Sequence, residues 1–168
     1  MRKIKMIPKS LLLLFVAFLV HQVVIGSPVE EQSKDLRNFV DINGTTYFFD
    51  GSNEHSWIAV RNCGFKNMTV ISFEEPGKWE LIRSWILDQG TYNYSHFWTS
   101  AVKAANTDTY NWQPSGAEVT EFDWSYRKPS ITDNSVDLCL AFYPDPILGG
   151  HEDVYCTEYL MKYICEYP

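Results

Sequence analysis

The sequence has no Cys-x-x-Cys pair, no internal repeat and no heptad run, and none of its apolar stretches is long enough to cross a bilayer. The longest, Leu11 to Val20, is short of the ~20 residues of a spanning helix, and polar His21 and Gln22 interrupt it. Cysteines without Cys-x-x-Cys spacing read poorly as a zinc site, and a chain without heptads has no coiled-coil stalk. Basic residues are scarce, 14 Lys and Arg against 21 Asp and Glu. No basic stripe is left to follow a phosphate backbone, which excludes nucleic acid as a partner. No Ser/His/Asp or Cys/His arrangement stands out as a nucleophilic set.

What is present begins with a basic head, Arg2, Lys3, Lys5 and Lys9, followed by the Leu11–Val20 run and Gly26. That order predicts a secretory signal peptide over 1–26, cut after Gly26 to leave Ser27 first, and argues against a membrane anchor. The signal holds four of the 14 basic residues and no acid, so the remaining 142 residues carry ten basic against 21 acidic side chains, a formal −11. Strong acidity can accompany disorder, but 15% aromatic residues argues for a packed core. The length fits one domain. Cys63, Cys139, Cys156 and Cys165 lie 76, 17 and 9 residues apart. In an exported protein they form a disulfide framework, and spacing leaves all three pairings open. Asn43-Gly-Thr, Asn67-Met-Thr and Asn93-Tyr-Ser are N-glycosylation sequons.

Residues 27–44 are a polar lead-in, and the domain proper is expected over 45–168. Thr45 to Asp50 is β-branched and aromatic and predicts a strand. Ser56 to Phe65 reads as a short helix with Trp57, Val60 and Phe65 inward. A second helix is expected from about Phe73 to Gln89. Ser72 and Glu75 form a capping-box signature, Pro76 falls in the first turn, Trp79, Ile82 and Ile86 repeat at helical spacing, and Gly90 terminates. Short strands are expected at His96 to Val102, Val136 to Tyr143 and Tyr159 to Glu166, with loops at Lys103 to Asp108 and Pro144 to Glu152. Helices first and strands afterwards argue α+β. The long irregular stretch 103–135 suits a compact domain only if it is functional. Trp57, Trp79, Trp85, Trp98 and Trp112 read as core residues.

Trp57-Ile-Ala59 running into Cys63, Ser72-Phe-Glu-Glu75, Phe97-Trp98-Thr-Ser-Ala-Val102, Tyr110-Asn-Trp112, Trp124, Asp137-Leu-Cys139, Cys156 and Tyr163-Ile-Cys165-Glu166 occur in this order. With these features, roughly residues 45 to 167 resemble a C-type lectin-like domain. The resemblance implies two helices with small antiparallel sheets, and the disulfides Cys63–Cys165 and Cys139–Cys156. It also implies that the long irregular stretch forms ligand-binding loops.

Sugar-binding members of that family hold a calcium ion on a Glu-Pro-Asn or Gln-Pro-Asp triplet around a cis proline, an acid two residues before the third cysteine from the end, and a Trp-Asn-Asp triplet. Calcium takes six to eight oxygen ligands at about 2.3–2.6 Å. Here the first triplet reads Lys128-Pro129-Ser130, Asp137 keeps the acidic position, and His151-Glu152-Asp153 replaces the last. Asp137, Glu152 and Asp153 could still ligate a metal. Lys128 cannot, and its ammonium is expected to form a salt bridge with Asp137 or Asp153 instead. Calcium is the one cofactor the resemblance implies, and Lys128 stands against it. Tyr126, beside the triplet, is the aromatic placed to stack on a pyranose.

The expected function is a secreted, glycan-binding module with little calcium dependence, whose partner is a glycan or glycoprotein. The alternative is a secreted protein-binding or regulatory module of the same fold. An enzyme would need a carboxylate pair such as Glu118 and Glu121, but a polar loop is a poor setting for the raised carboxyl pKa that glycosidic chemistry requires.

Overall fold

The hairpin that opens the described chain is set by Asn43-Gly44, whose φ angles of 54° and 83° make the left-handed turn that matches strand twist. The Gly44 N–H donates to Asp41 Oδ1 at 2.8 Å. Strand β1 (Phe39–Ile42) and strand β2 (Thr45–Glu54) flank this turn, so strand pairing starts ahead of residue 45. The structure is a computed structural model that describes residues 38–90 and 92–168; the expected signal peptide and most of the expected lead-in lie outside them. Residues Asn38–Pro168 form one compact unit.

After β2 come helix α1 (Ser56–Gly64), β3 (Thr69–Val70), helix α2 (Lys78–Gln89), β4 (Phe97–Lys103), β5 (Asn111–Trp112), β6 (Leu138–Tyr143), β7 (Gly150–Tyr155) and β8 (Met161–Glu166). The main sheet runs β1-β2-β8-β4-β6-β7, with β3 against β8 and β5 against β4. The second and last strands are thus neighbours, Phe48 lying opposite Cys165. β4 runs parallel to β8, while the other paired strands described are antiparallel. The architecture is the α+β fold that the resemblance implies.

Both disulfides form as expected, Cys63–Cys165 from α1 to β8 and Cys139–Cys156 from β6 to the turn after β7. Aromatic packing fills the centre. Phe97 and Phe142 are fully buried and stack at 5.0 Å and 13°. Trp98 is fully buried and its Nε1–H donates to the Glu54 carbonyl at 2.7 Å, which satisfies the indole inside an apolar core.

Three expectations need correction. Trp57, Val60 and Phe65 face outward, at 56%, 58% and 80% exposure, while Ala59 and Cys63 are the buried face of α1. The disulfide draws the helix onto β3 and β8, and the small Ala59 side chain allows the close approach. Trp57 is instead covered by the Arg61 guanidinium at 5.6 Å.

Helix α2 starts at Lys78, not near Phe73, and no side chain caps it. Ser72 is committed elsewhere: its N–H and Oγ both donate to Glu166 Oε1, at 2.8 and 3.1 Å. A left-handed Gly77 with φ 79° makes the turn into the helix. The interior of α2 is as expected, with Trp79, Ile82 and Ile86 buried and Gly90 left-handed at its end.

The stretch expected to be a loop from Pro144 to Glu152 runs into β7, which pairs with β6 over six residue pairs. Its sequence, Gly-His-Glu-Asp-Val-Tyr, hides a strand because polar His151 and Asp153 are buried along with Val154, which leaves no apolar alternation.

Candidate ligand-binding loops

The loop 123–131 crosses β7 at Gly150. A Cβ there would lie 2.3 Å from the Asp123 carbonyl oxygen and 2.6 Å from the Ser125 nitrogen, so only glycine admits this crossing. Trp124 bridges His151 in parallel, and Ser125 N–H donates to the His151 carbonyl at 2.9 Å. Ser125 is buried and its hydroxyl also donates to Glu152 Oε1 at 2.9 Å. Lys128 N–H closes the turn onto the Ser125 carbonyl at 2.9 Å, and the Lys128–Pro129 peptide is cis.

This arrangement brings Lys128 onto Asp153. The ammonium lies 3.1 Å from Asp153 Oδ1, 2.8 Å from the Asp153 carbonyl and 3.1 Å from Ser130 Oγ. Asp153 is 1% exposed. Its Oδ2 also accepts the N–H groups of Ser130, at 2.7 Å, and of Ile131. A carboxylate this deeply buried needs such partners to replace the water it has lost. Of the two partners expected for Lys128, Asp153 takes the role. Asp137 does not join, because its Oδ1 is exposed and accepts the Ala105 N–H at 2.8 Å.

Glu152 sits beside this pair. Its Oε2 lies 3.3 Å from His96 Nε2. Burial opposes ionisation of Glu152, but the hydrogen bond and charge of His96, the Ser125 hydroxyl and the charge of Lys128 outweigh it and hold its pKa below the ordinary value. The His96 ring stacks on Tyr143, centroids 4.5 Å apart.

Lys128 and Glu152 border a groove of about 470 Å³ that also takes in Asn53, Tyr94, His96, Tyr159 and Lys162. Lys162 Nζ donates to the Gly51 carbonyl at 2.8 Å and to Asn53 Oδ1 at 3.3 Å, which holds its ammonium at the groove edge. None of these five neighbours was readable as a site residue in the sequence, because they arrive from the end of β2 and the starts of β4 and β8. Tyr126 lies outside the groove. It is exposed, its ring is covered by the Arg127 guanidinium at 4.9 Å, and its N–H donates to the Leu148 carbonyl. Of the sequons, Asn43 and Asn67 are exposed and Asn93 is half-buried.

No family profile matches the chain. A curated relative, C-type lectin 37Da of Drosophila melanogaster, is 26% identical over 147 residues, covering 80% of this chain and 74% of the relative. Among solved structures, human lithostathine superposes with a TM-score of 0.63 at 17% identity, covering 99% of each chain. SPL-1, solved as a GlcNAc complex, superposes with a TM-score of 0.62 at 20% identity, over 77% of this chain and 91% of SPL-1. The carbohydrate-recognition domain of the mouse scavenger receptor C-type lectin gives 0.61 at 18%, over 77% and 92%. Together with the two disulfides these likenesses decide the assignment. Residues 38–168 adopt the C-type lectin-like fold.

Glu118 and Glu121, the one carboxylate pair that an enzyme reading would use, do not form an enclosed site. Both are exposed, outside the apolar enclosure that a general acid needs. Lys128 faces Asp153, both oxygens of Asp153 are engaged, and Asp137 turns to the Ala105 backbone. Among the described residues no three His, Cys, Asp or Glu side chains converge to hold a metal ion.

A second internal lysine went unnoticed in the sequence. Lys78 Nζ pairs with Glu166 Oε2, the side chains only 11% and 8% exposed. His151 is a further buried ionisable group. It is 4% exposed, and its Nδ1 accepts the Asp123 N–H at 3.3 Å. Burial lowers its pKa to about 4, against a partial opposing effect of the Asp123 charge and backbone. Between about 4 and the ordinary value of 6.5 the unfolded chain binds the proton and the folded one does not. Stability therefore rises with pH between about 4 and 6.5, and on the order of 3 kcal/mol is lost on acidification through that window. Urea midpoints at pH 7, 5 and 4 should fall more steeply for the native chain than for His151→Gln. Parallel profiles would rule His151 out as the source.

Proposed function

We infer that this is a secreted carbohydrate-binding protein that takes its glycan in the groove beside Lys128 and Glu152, without calcium. One observation carries the reading. The ammonium of Lys128 already neutralises Asp153, beside a polar groove of about 470 Å³ edged by tyrosines. Such a groove offers amide, carboxylate and ammonium groups to sugar hydroxyls, and the exposed rings of Tyr94 and Tyr159 to a pyranose face. SPL-1 with GlcNAc, and the cow CD23 domain in the presence of GlcNAc2Man3, are solved saccharide structures on this fold. Lys128, Ser130, Glu152 and Asp153 form the ligand-side framework of this reading, with cis Pro129 shaping the turn. Export by the signal peptide over 1–26 supplies the oxidising compartment that both disulfides need, with glycans expected first at exposed Asn43 and Asn67.

A second reading, a protein-binding module without sugar affinity, is favoured by the exposed apolar residues Ile147 and Leu148 next to Tyr126. Glycan-array binding of the secreted chain separates the two. Chelator-insensitive glycan binding is expected, weakened about fivefold to tenfold by Glu152→Gln or Lys162→Ala, a typical worth for one hydrogen bond. Tyr126→Ala should leave it unchanged. Binding abolished by chelator would overturn the calcium-free reading. Silence across the array, with intact fold, would favour the protein partner.

A further inference from the structure

We propose that a second cleft, between the segment entering α2 and the loop 117–123, binds a basic side chain of a partner polypeptide. The cleft encloses about 340 Å³. Glu74, Glu75 and Glu80 form one wall, and Glu118, Glu121 and Asp123 form the other. Among the described residues no lysine or arginine lines it. Two facing walls of one sign over an apolar floor focus a negative potential and concentrate cations between them. The floor is aromatic, made of Phe73, Trp79 and Trp112. Aromatic faces add attraction for a cation that has shed water. Trp79 Nε1–H donates to Asp123 Oδ2 at 3.0 Å and ties one wall to the floor.

The shape selects against a bare metal ion. Among the described residues no three acids or histidines converge on a point, so the carboxylates are spaced for an extended organic cation. His151 narrows the class further. It lines the cleft, is 4% exposed, and its Nε2 has no hydrogen-bond partner. Because Nδ1 accepts the Asp123 N–H, the proton of the neutral ring sits on Nε2, a buried donor that lacks an acceptor. Leaving such a donor unmade is costly. A ligand that carries a carbonyl near its cationic group answers both features, and an arginine or lysine residue within a peptide does so. The cleft shares no residue with the groove beside Lys128, so this inference stands apart from glycan binding there.

The test uses the secreted chain and three probes: a blocked Gly-Arg-Gly tripeptide, its citrulline counterpart, and spermidine. Binding is read by heat and by the fluorescence of the tryptophans in the floor. The arginine peptide should bind at least tenfold tighter than the citrulline peptide and more tightly than spermidine, and should weaken as salt is raised. Glu118→Gln combined with Glu121→Gln should weaken it at least tenfold. Both residues are exposed, so this variant should fold, and Glu158→Gln outside the cleft should bind as the native chain does. Equal binding of the citrulline peptide, an unaffected double variant, or no detectable arginine binding would overturn the proposal. Spermidine binding as tightly as the peptide would overturn the assignment to a polypeptide.

Discussion

Replacing Cys63 and Cys165 together by alanine is expected to lower stability by about 4.7 kcal/mol, the loop-entropy worth of closing roughly a hundred residues. The bridge spans 102 residues and ties α1 to the central strand β8. Both sulfurs are fully buried, so their removal also leaves unfilled space in the core and adds to the loss. Replacing Cys139 and Cys156 opens a loop of 17 residues and should cost less, about 3 kcal/mol. Urea unfolding of the two double variants measures both. A larger loss for the Cys139/Cys156 variant would show that the short bridge holds the binding loops by native-state contacts rather than by chain entropy.

Replacing Lys78 by methionine is expected to cost about 3–5 kcal/mol, because it breaks a buried ion pair by removing one partner and leaves Glu166 without its counter-ion. The Ser72 N–H and hydroxyl would remain as its hydrogen bonds, which limits the loss without removing it. Changing Glu166 to glutamine in the same chain removes the stranded charge. The double variant Lys78→Met with Glu166→Gln should therefore recover much of the stability, as neutral replacements of buried pairs do. Losses that simply add, with no recovery, would mean that Lys78 acts through its aliphatic packing and not through its charge.

The two internal lysines differ in how visible they were. Lys128 stands where the resembled family has a calcium ligand, so its substitution was conspicuous and its pairing could be anticipated. Lys78 sits in an amphipathic run at the start of α2, where a lysine reads as an ordinary solvated residue. Its burial depends on Glu166 from the other end of the chain, which no local pattern reports. Ser72 was misjudged for the same reason: the residue had the right type and spacing for a capping box, but the Glu166 carboxylate competes for its donors. The outward turn of Trp57, Val60 and Phe65 likewise follows from a disulfide that pulls the Ala59–Cys63 face inward.

The two helices, the strands near Thr45, Phe97, Leu138 and Met161, the buried stripe Trp79, Ile82 and Ile86, the aromatic core and the left-handed Gly90 were determined by sequence alone, because periodicity and φ preference are local. The disulfide pairing needed the family resemblance, since cysteine spacing left it open. Only the tertiary structure decided which acid meets Lys128, that Asp137 stays apart, and that β7 buries His151 and Asp153. It also brought Asn53, His96 and Lys162 to the edge of one groove. Those outcomes depend on the loop 123–131 crossing β7 at Gly150 and on strands from both ends of the chain lying side by side. Contacts made across a hundred residues by polar side chains leave no hydrophobic period to read.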